Sequence, residues 1–274
     1  MTPKVVVPIK TGTRLRLTNR RVNFRILEAL SPLAGIPHIK KMIPWFRSDE
    51  LNMSCLPVNE EIEVSNGSVM PIQILERFIE QASHRVIVDF CCCRVSWGCK
   101  RYPSEIGCLM MGNSALEIDP TAGREVSVEE AKAHTRKAVE KGLVPFVGKA
   151  RIDNIVFGIR NKKQLLSVCY CCECCCITQY ARNIPPALRS ENVVRLPGLE
   201  VRVTDECDGC GACAKRCFLQ EITVVDDRAV IGEGCAGCGR CAMVCKKGAV
   251  KITMDNPAFA EEVYERIGAL VDYT

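Results

Sequence analysis

The chain has 274 residues, of which 47% are hydrophobic and 25% charged, and a formal net charge of +5. This composition excludes a disordered, collagenous or coiled-coil protein and supplies enough apolar residues for one large domain or two small ones. No run of eighteen apolar residues exists, so we expect no membrane-spanning helix. Cysteine is the unusual residue, with 20 copies gathered in clusters.

The first residues of the chain lack the apolar segment and the cleavage site of a secretory signal, so we expect a cytoplasmic protein. Thiols stay reduced in the cytoplasm, which disfavours a disulfide framework. Twenty cysteines in that compartment therefore indicate metal binding.

Residues 1–54 are predicted as a basic N-terminal segment. Residues 1–50 contain ten Lys or Arg against three acidic residues, a charge of +7 that leaves −2 for the remaining chain. Three interpretations stay open, namely a solvated basic face, docking to an acidic redox partner protein, and peripheral contact with an anionic membrane. No nucleic-acid-binding motif accompanies the charge, so nucleic acid is not expected as a partner.

Residues 55–185 alternate helix and strand signals and are predicted as a cysteine-rich domain of the α+β, or small α/β, class. Pro71 suits the first turn of a helix. The apolar stripe of this helix consists of Ile72, Leu75, Phe78 and Ile79. Ser127 and Glu130 have the spacing of a capping box, which predicts a second helix that ends near Gly142.

Two predicted strands in this domain lead directly into cysteines. Residues 85–90 run into Cys91, and residues 165–168 run into Cys169. Because both groups of cysteines lie at strand ends, we expect them to line one site.

Residues 199–256 contain a duplicated cysteine motif, between a predicted linker at 186–198 and a predicted helical tail at 257–274. The spacing C-x2-C-x2-C-x3-C occurs twice, 28 residues apart, at Cys207, Cys210, Cys213 and Cys217 and again at Cys235, Cys238, Cys241 and Cys245. The similarity continues past the cysteines, which indicates a duplicated supersecondary unit. Two-residue gaps let three thiolates of a loop reach three irons of a cubane, while the fourth cysteine binds the other cluster.

This motif resembles the bacterial two-[4Fe–4S] ferredoxins. The resemblance implies a ferredoxin-like C-terminal domain in which cluster 1 is bound by Cys207, Cys210, Cys213 and Cys245, and cluster 2 by Cys235, Cys238, Cys241 and Cys217. Phe218 and Lys246 stand where these ferredoxins usually have proline, a difference that bears on loop rigidity and reduction potential. Zinc bound by the CxxC pairs is the alternative. Five basic residues of the motif are expected to raise the potential and attract an acidic partner: Lys215, Arg216, Arg240, Lys246 and Lys247.

Twelve cysteines lie outside this motif: Cys55, Cys91, Cys92, Cys93, Cys99, Cys108, Cys169, Cys171, Cys172, Cys174, Cys175 and Cys176. So dense a set of soft thiolates selects iron–sulfur clusters, zinc or Cu(I). We expect one or two further iron–sulfur clusters bound by a subset of these residues, with Cys55 set apart as a buried free cysteine. Separate clusters for the two groups and one larger shared cluster both stay open. Shared ligation is favoured because three adjacent cysteines cannot all face one cubane.

The order of these residues is also similar to a poorly characterised family of iron–sulfur proteins from anaerobic bacteria and archaea. The similar positions are Cys91, Cys93-Arg94, Gly98-Cys99, Cys108-Leu109, Gly112, Gly142-Leu143-Val144, Cys169, Cys171-Cys172 and Cys174-Cys175. The resemblance covers roughly residues 85–250 and implies a redox role and an anaerobic host, without a particular reaction.

The favoured function is an iron–sulfur electron carrier that relays electrons between the ferredoxin-like domain and the N-terminal cluster site. The first alternative is a reductase, an oxidoreductase that binds a substrate such as a disulfide at that site. The chain lacks the Cys-Cys-Gly signature of heterodisulfide reductase catalytic subunits, because Glu173 follows Cys172 and Ile177 follows Cys176. The second alternative is an iron–sulfur scaffold or maturation factor. No nucleotide-binding motif is present and no catalytic residue is assigned.

Overall fold

A computed structural model describes residues 25–26, 28–43, 47–57, 62–64, 67–69 and 71–274. Most of the predicted basic segment, including residues 1–24 and 44–46, lies outside the described residues. Its interpretation as a docking surface therefore stays a prediction.

The described elements are short strands interspersed with short helices. The helices are α1 Pro37–Met42, α2 Pro71–Gln81, α3 Cys92–Trp97, α4 Val128–Glu140, α5 Arg151–Phe157, α6 Pro186–Asn192, α7 Ala212–Arg216, α8 Arg240–Val244 and α9 Phe259–Gly268. The strands are β1 Leu51–Cys55, β2 Ile62–Val64, β3 Gly67–Val69, β4 Arg85–Val88, β5 Leu109–Met111, β6 Gly123–Glu125, β7 Val144–Ala150, β8 Leu166–Cys171, β9 Val193–Val194, β10 Leu199–Val203, β11 Ile222–Val225, β12 Arg228–Ile231 and β13 Val250–Met254. Turns of 3₁₀ helix span Ser31–Gly35, Asn113–Glu117 and Ile177–Asn183.

Seven of the described strands form one sheet in the order β6-β4-β5-β8-β7-β1-β9. Neighbouring strands are antiparallel except for the parallel pair β1–β9. Side chains alternate across this sheet, and both faces are covered. On β8, Val168 belongs to the core that includes α2, α4 and α9, whereas Cys169 and Cys171 belong to the opposite core. The mixture of α and β is compatible with the predicted α+β class.

The two predicted helices of this region are confirmed. Helix α2 begins at Pro71, and it buries Leu75, Phe78 and Ile79 completely. Helix α4 follows Ser127, whose hydroxyl accepts from the Glu130 backbone N–H while the Glu130 carboxylate accepts from the Ser127 backbone N–H. This reciprocal capping box satisfies two N–H groups that a helix end otherwise leaves unpaired.

The predicted strand at 165–168 is longer than expected. Strand β8 continues through Cys171, because every residue of it pairs with β7 or β5. Two cysteines predicted to follow the strand, Cys169 and Cys171, therefore lie within it.

The duplicated motif folds as two similar units. Gly209 and Gly237 have φ of 65° and 70°, and Gly211 and Gly239 have φ of 71° and 77°, so the left-handed positions repeat at the spacing of the sequence motif. Helices α7 and α8 follow these glycines at the same spacing. The first strand of unit one, β10, pairs with the last strand of unit two, β13, and β11 pairs with β12.

Segments on either side of the duplicated motif join the rest of the fold. Residues 186–198, predicted as a linker, form α6 and β9, and β9 pairs with β1 of the main sheet. In α9, part of the predicted helical tail, Tyr264 lies against Phe78 of α2 with ring centroids 4.7 Å apart. The hairpin β2–β3 adds to β13, so strands from both halves of the chain share one sheet.

Candidate metal-binding site

The two N-terminal cysteine groups meet at the ends of β4, β5 and β8. Leu109 of β5 pairs with Val168 of β8. Antiparallel pairing then brings Cys108 opposite Cys169, and their Sγ atoms lie 3.7 Å apart. The structure thus brings together cysteines from distant parts of the sequence, as the strand-end pattern predicted.

A second set of contacts connects the start of α3 with the cysteine-rich turn after β8. The Sγ atoms of Cys171 and Cys176 lie 2.9 Å apart. Hydrogen bonding with the thiols of Cys171 and Cys93 holds the pKa of Cys176 well below its usual range. A hydrogen bond with Cys93 lowers the pKa of Cys91 to about 7. Cys91, Cys93, Cys171 and Cys176 therefore form one interacting group, in which protonation of one thiol changes the pKa of the others.

These contacts surround a cavity of about 90 Å³. Eight of the predicted ligands line it: Cys91, Cys92, Cys93, Cys108, Cys169, Cys171, Cys172 and Cys176. The remaining wall includes apolar side chains of β1, β7 and α5. Sulfur is therefore the most frequent donor atom in the cavity wall, and it is the ligand that iron–sulfur clusters and other soft metal centres prefer.

A buried arginine provides the positive charge of the cavity. Arg94 follows Cys93 in α3 and is 1% exposed. Its guanidinium donates to the backbone carbonyls of Tyr170, at 2.7 Å, and Ile106, while Nε has no hydrogen-bond partner among the described residues. Burial opposes its charge, but nearby sulfurs, Cys91 foremost, raise the pKa of Arg94 above its usual value.

A buried carboxyl group also faces this cavity. Asp153 of α5 lines it, and its Oδ2 atom has no hydrogen-bond partner among the described residues. Burial raises the pKa of Asp153 to about 6. Asp153 stands in no recognisable sequence motif, so sequence reasoning missed it. Arg94 was part of the resemblance pattern but carried no assigned role.

Four predicted ligands gather in a separate group at the protein surface. The Sγ atoms of Cys99, Cys172, Cys174 and Cys175 all lie within 4.8 Å of one another. Cys172 is buried, Cys174 is exposed, and the other two are half-buried. Cys172 belongs to both sets, since it also lines the cavity.

Backbone N–H groups point at the sulfurs of this surface group. Burial raises the pKa of Cys99, but N–H donors of Tyr102 and Arg101 outweigh it and lower that pKa overall. Burial raises the pKa of Cys172, and N–H donors of Cys175 and Cys174 oppose the rise. Burial also raises the pKa of Cys175 to about 12 in the absence of a bound ion.

In the duplicated motif one cysteine of the first unit lies near the cysteines of the second. Burial raises the pKa of Cys241, and the neighbouring charges of Cys238, Cys235 and Cys217 add to the rise. Cys217 thus lies with three cysteines of the other unit. In the first unit, burial raises the pKa of Cys213, to which the charges of Cys207 and Cys210 contribute.

Matched backbone hydrogen bonds support the sulfurs of the two units. The N–H of Glu221 donates to Cys217 Sγ, and the N–H of Ala249 donates to Cys245 Sγ, each at 3.3 Å. Such N–H···S bonds stabilise a thiolate, the form that binds metal. Similar bonds join Ala229 to Cys207 and Gly237 to Cys235.

Glu173 connects the cysteine-rich turn to the duplicated motif. Its carboxylate accepts from Arg240 at 2.7 Å, from Arg216, and from Arg101 at 2.9 Å. The Tyr102 hydroxyl donates to it at 2.8 Å. The sequence analysis expected Arg240 to attract an acidic partner protein. Its side chain is instead buried within the chain, where it donates to the Glu173 carboxylate and to the backbone carbonyl of Cys171.

Apolar packing completes this junction. Phe218, which follows the fourth cysteine of the first unit, packs edge-on against Phe146 of β7 with ring centroids 5.7 Å apart. Cys55 is fully buried in the same core. Burial, with smaller contributions from Cys238 and Cys235, raises its pKa well above the usual range.

Comparison with protein-family models, with curated proteins and with solved structures finds no match to this chain. Within the described ranges, no helix combines the length and the apolar character that a bilayer crossing requires.

Proposed function

We propose that the chain is an iron–sulfur electron-transfer protein that carries electrons between the duplicated motif and the cysteine-lined cavity. The observation that carries this proposal is the buried Arg94, which lines the cavity together with eight cysteines and whose charge the nearby sulfurs favour. A buried cation is costly unless an anion compensates it. Thiolates bound to a cluster supply that anion.

The cavity residues fit an iron–sulfur cluster in donor type and in number. Cys91, Cys93, Cys171 and Cys176 form one contact group, and Cys108 lies in the same cavity with Cys169. Arg94 would hold the negative charge of these sulfurs in place. When bound, a cluster supplies one-electron chemistry that the side chains themselves lack.

The duplicated motif is proposed to hold two [4Fe–4S] clusters in the crossed pattern. The proximity of Cys217 to Cys235, Cys238 and Cys241 supports this pattern, as do the matched N–H···S bonds on Cys217 and Cys245. Cys207, Cys210 and Cys213 would bind the other cluster together with Cys245.

The junction favours transfer between the two regions. Arg240 immediately precedes Cys241 in the motif, while its guanidinium holds the carbonyl of Cys171 in the cavity wall. Phe146 of the main sheet packs against Phe218 of the duplicated motif in one apolar core. These contacts fix the separation of the two regions, and electron transfer between fixed sites requires no motion of the protein.

The test is the metal content and redox spectroscopy of the full chain, purified anaerobically, compared with Cys108→Ser and Cys207→Ser variants. We expect iron and acid-labile sulfide well above the about eight of each that two [4Fe–4S] clusters contain. Cys108→Ser should lower the excess and leave the ferredoxin-type signal of the reduced protein. Cys207→Ser should weaken the ferredoxin-type signal and leave the iron and sulfide of the cavity in place.

Three outcomes would count against the proposal. Iron near eight that Cys108→Ser leaves unchanged would remove the cavity cluster. Transfer of cavity iron to an apo-protein acceptor would favour a scaffold, and turnover of a disulfide would favour a reductase. A carrier should instead pass electrons from a low-potential donor to an artificial acceptor, with both regions reduced in turn.

A further inference from the structure

Close pairs of sulfurs occur in the cavity, but among the described residues only the surface group brings three or more potential ligand atoms all within 4.8 Å of one another. The group consists of Cys99, Cys172, Cys174 and Cys175, with all Sγ atoms within 4.8 Å of one another and 3.7 Å between Cys99 and Cys174. Sequence reasoning placed these residues in the iron–sulfur ligand set. Four sulfur atoms that are all this close to one another suit an occupant smaller than a four-iron cluster.

Four sulfurs at a Zn–S distance of about 2.3 Å around one ion lie about 3.8 Å apart at the corners of a tetrahedron. The distance between Cys99 and Cys174 matches this edge. The ligands of a four-iron cluster each bind a different iron, so their sulfurs are separated by the width of the cluster as well. The group therefore fits a single ion.

The backbone around the group is arranged for thiolates. The N–H groups two and three residues after Cys99, those of Arg101 and Tyr102, lie near its Sγ atom. The N–H groups at the same two offsets after Cys172, those of Cys174 and Cys175, lie near the Cys172 Sγ atom. Two separate turns thus present the same pair of N–H donors to a sulfur, and such donors orient and stabilise metal-bound thiolates.

We propose that Cys99, Cys172, Cys174 and Cys175 bind one tetrahedral divalent ion, Zn²⁺, at a site separate from the iron–sulfur centre of the cavity. A site closed by four protein ligands leaves no position for substrate, which is the arrangement of structural zinc. Borderline-soft Zn²⁺ is favoured by an all-thiolate donor set. The inference shares only Cys172 with the electron-transfer proposal. With Cys172 bound to the surface ion, seven cysteines remain for the cavity.

The position of the site indicates its role. The ion would join the loop after α3, which supplies Cys99, to the turn after β8. Glu173 lies between Cys172 and Cys174 and binds Arg216 and Arg240 of the duplicated motif. The ion would therefore hold the residue that connects the two regions.

The test is elemental analysis of the full chain, expressed with both iron and zinc available and purified anaerobically. We expect about one zinc per chain, lost in Cys174→Ser and in Cys99→Ser with iron and sulfide retained. Cys108→Ser, a cavity variant, is the matched control and should lose iron and sulfide while keeping zinc. Loss of one iron without sulfide in Cys174→Ser would also support a single-ion site, with iron as the occupant.

Loss of iron together with equal sulfide in Cys174→Ser, with zinc absent from the unmodified chain, would overturn the inference. Because a variant could fail to fold, X-ray absorption at the zinc edge of the unmodified protein provides a second measurement. Four sulfurs at about 2.3 Å are expected. A mixed shell containing nitrogen or oxygen would contradict the assignment. The iron content of the same sample tests the electron-transfer proposal separately.

Discussion

Neutralising Glu173 should weaken the junction between the cysteine-rich turn and the duplicated motif. The Glu173 side chain is 6% exposed, and its partner Arg240 is 7% exposed, so Glu173→Gln leaves a buried guanidinium without its carboxylate partner and with the sulfur of Cys238 as a nearby negative group. Loss of one partner of a buried pair costs about 3–5 kcal/mol. We take the lower end, about 3 kcal/mol, because Arg240 keeps its bond to the Cys171 carbonyl.

The other partners of Glu173 add little to this figure. Arg216 is 34% exposed and Arg101 is 54% exposed, so water compensates both when the carboxylate is removed. Loss of the proposed metals would make unfolding irreversible, so the unfolding rate in denaturant is the appropriate assay. A loss of about 3 kcal/mol corresponds to about 100-fold faster unfolding where the contact is absent from the transition state.

The matched control is Glu200→Gln, which removes the exposed pair of Glu200 with Arg202. A pair of this kind contributes about 0–1 kcal/mol, so the control should unfold at nearly the rate of the unmodified protein. Equal unfolding rates for Glu173→Gln and Glu200→Gln, at equal metal content, would refute the argument that Glu173 fixes the junction.

Three further substitutions test other parts of the structure. Arg94→Gln should lower the iron and sulfide content by the amount bound in the cavity, measured on anaerobic protein, because the sulfurs lose their buried counter-charge. Phe78→Ala should remove about 3–5 kcal/mol of packing free energy and speed unfolding in denaturant, because Phe78 is fully buried against Tyr264. Ser127→Ala should lower stability by about 1 kcal/mol through loss of the capping box with Glu130, measured as a shift in thermal unfolding.

Two of these predictions have a control substitution at the protein surface, and the third has an outcome that would contradict it. Arg124→Gln alters an exposed arginine and should keep all iron, so equal metal content in Arg94→Gln would contradict the role of Arg94. Leu116→Ala truncates a side chain that is 49% exposed and should cost far less than Phe78→Ala. An unchanged melting temperature for Ser127→Ala would show that α4 does not depend on its cap.

Local sequence patterns predicted the local structure well. The capping box at Ser127 and the stripe of α2 depend on residues within one helix, so periodicity and spacing were sufficient. The repeat of the duplicated motif was visible as matched cysteines and glycines, and its left-handed backbone positions recur at the same interval. Strand alternation offered one unused signal, because Cys169 and Cys171 stand two residues apart and so share a face of β8.

The arrangement of the site depends on contacts that local patterns do not contain. Asp153 reaches the cavity from α5, and Arg240 reaches the Cys171 carbonyl from the duplicated motif. The division of the cysteines into a cavity set and a surface set follows from how the turn after β8 folds against Cys99. Spacing along the chain does not specify that turn, because the six cysteines between positions 169 and 176 lie too close together in sequence to show which of them face the cavity.

The pairing of β2 with β13 constrains the order in which the protein can be assembled. Glu63 pairs with Thr253 across 190 positions of the chain, so the hairpin β2–β3 has no partner strand until nearly the whole polypeptide has been synthesised. Contacts this distant in sequence make folding slow and leave strand edges exposed in the meantime. The twenty thiols would be open to oxidation throughout that interval. Metal insertion after synthesis, under reducing conditions, is the order that this topology favours.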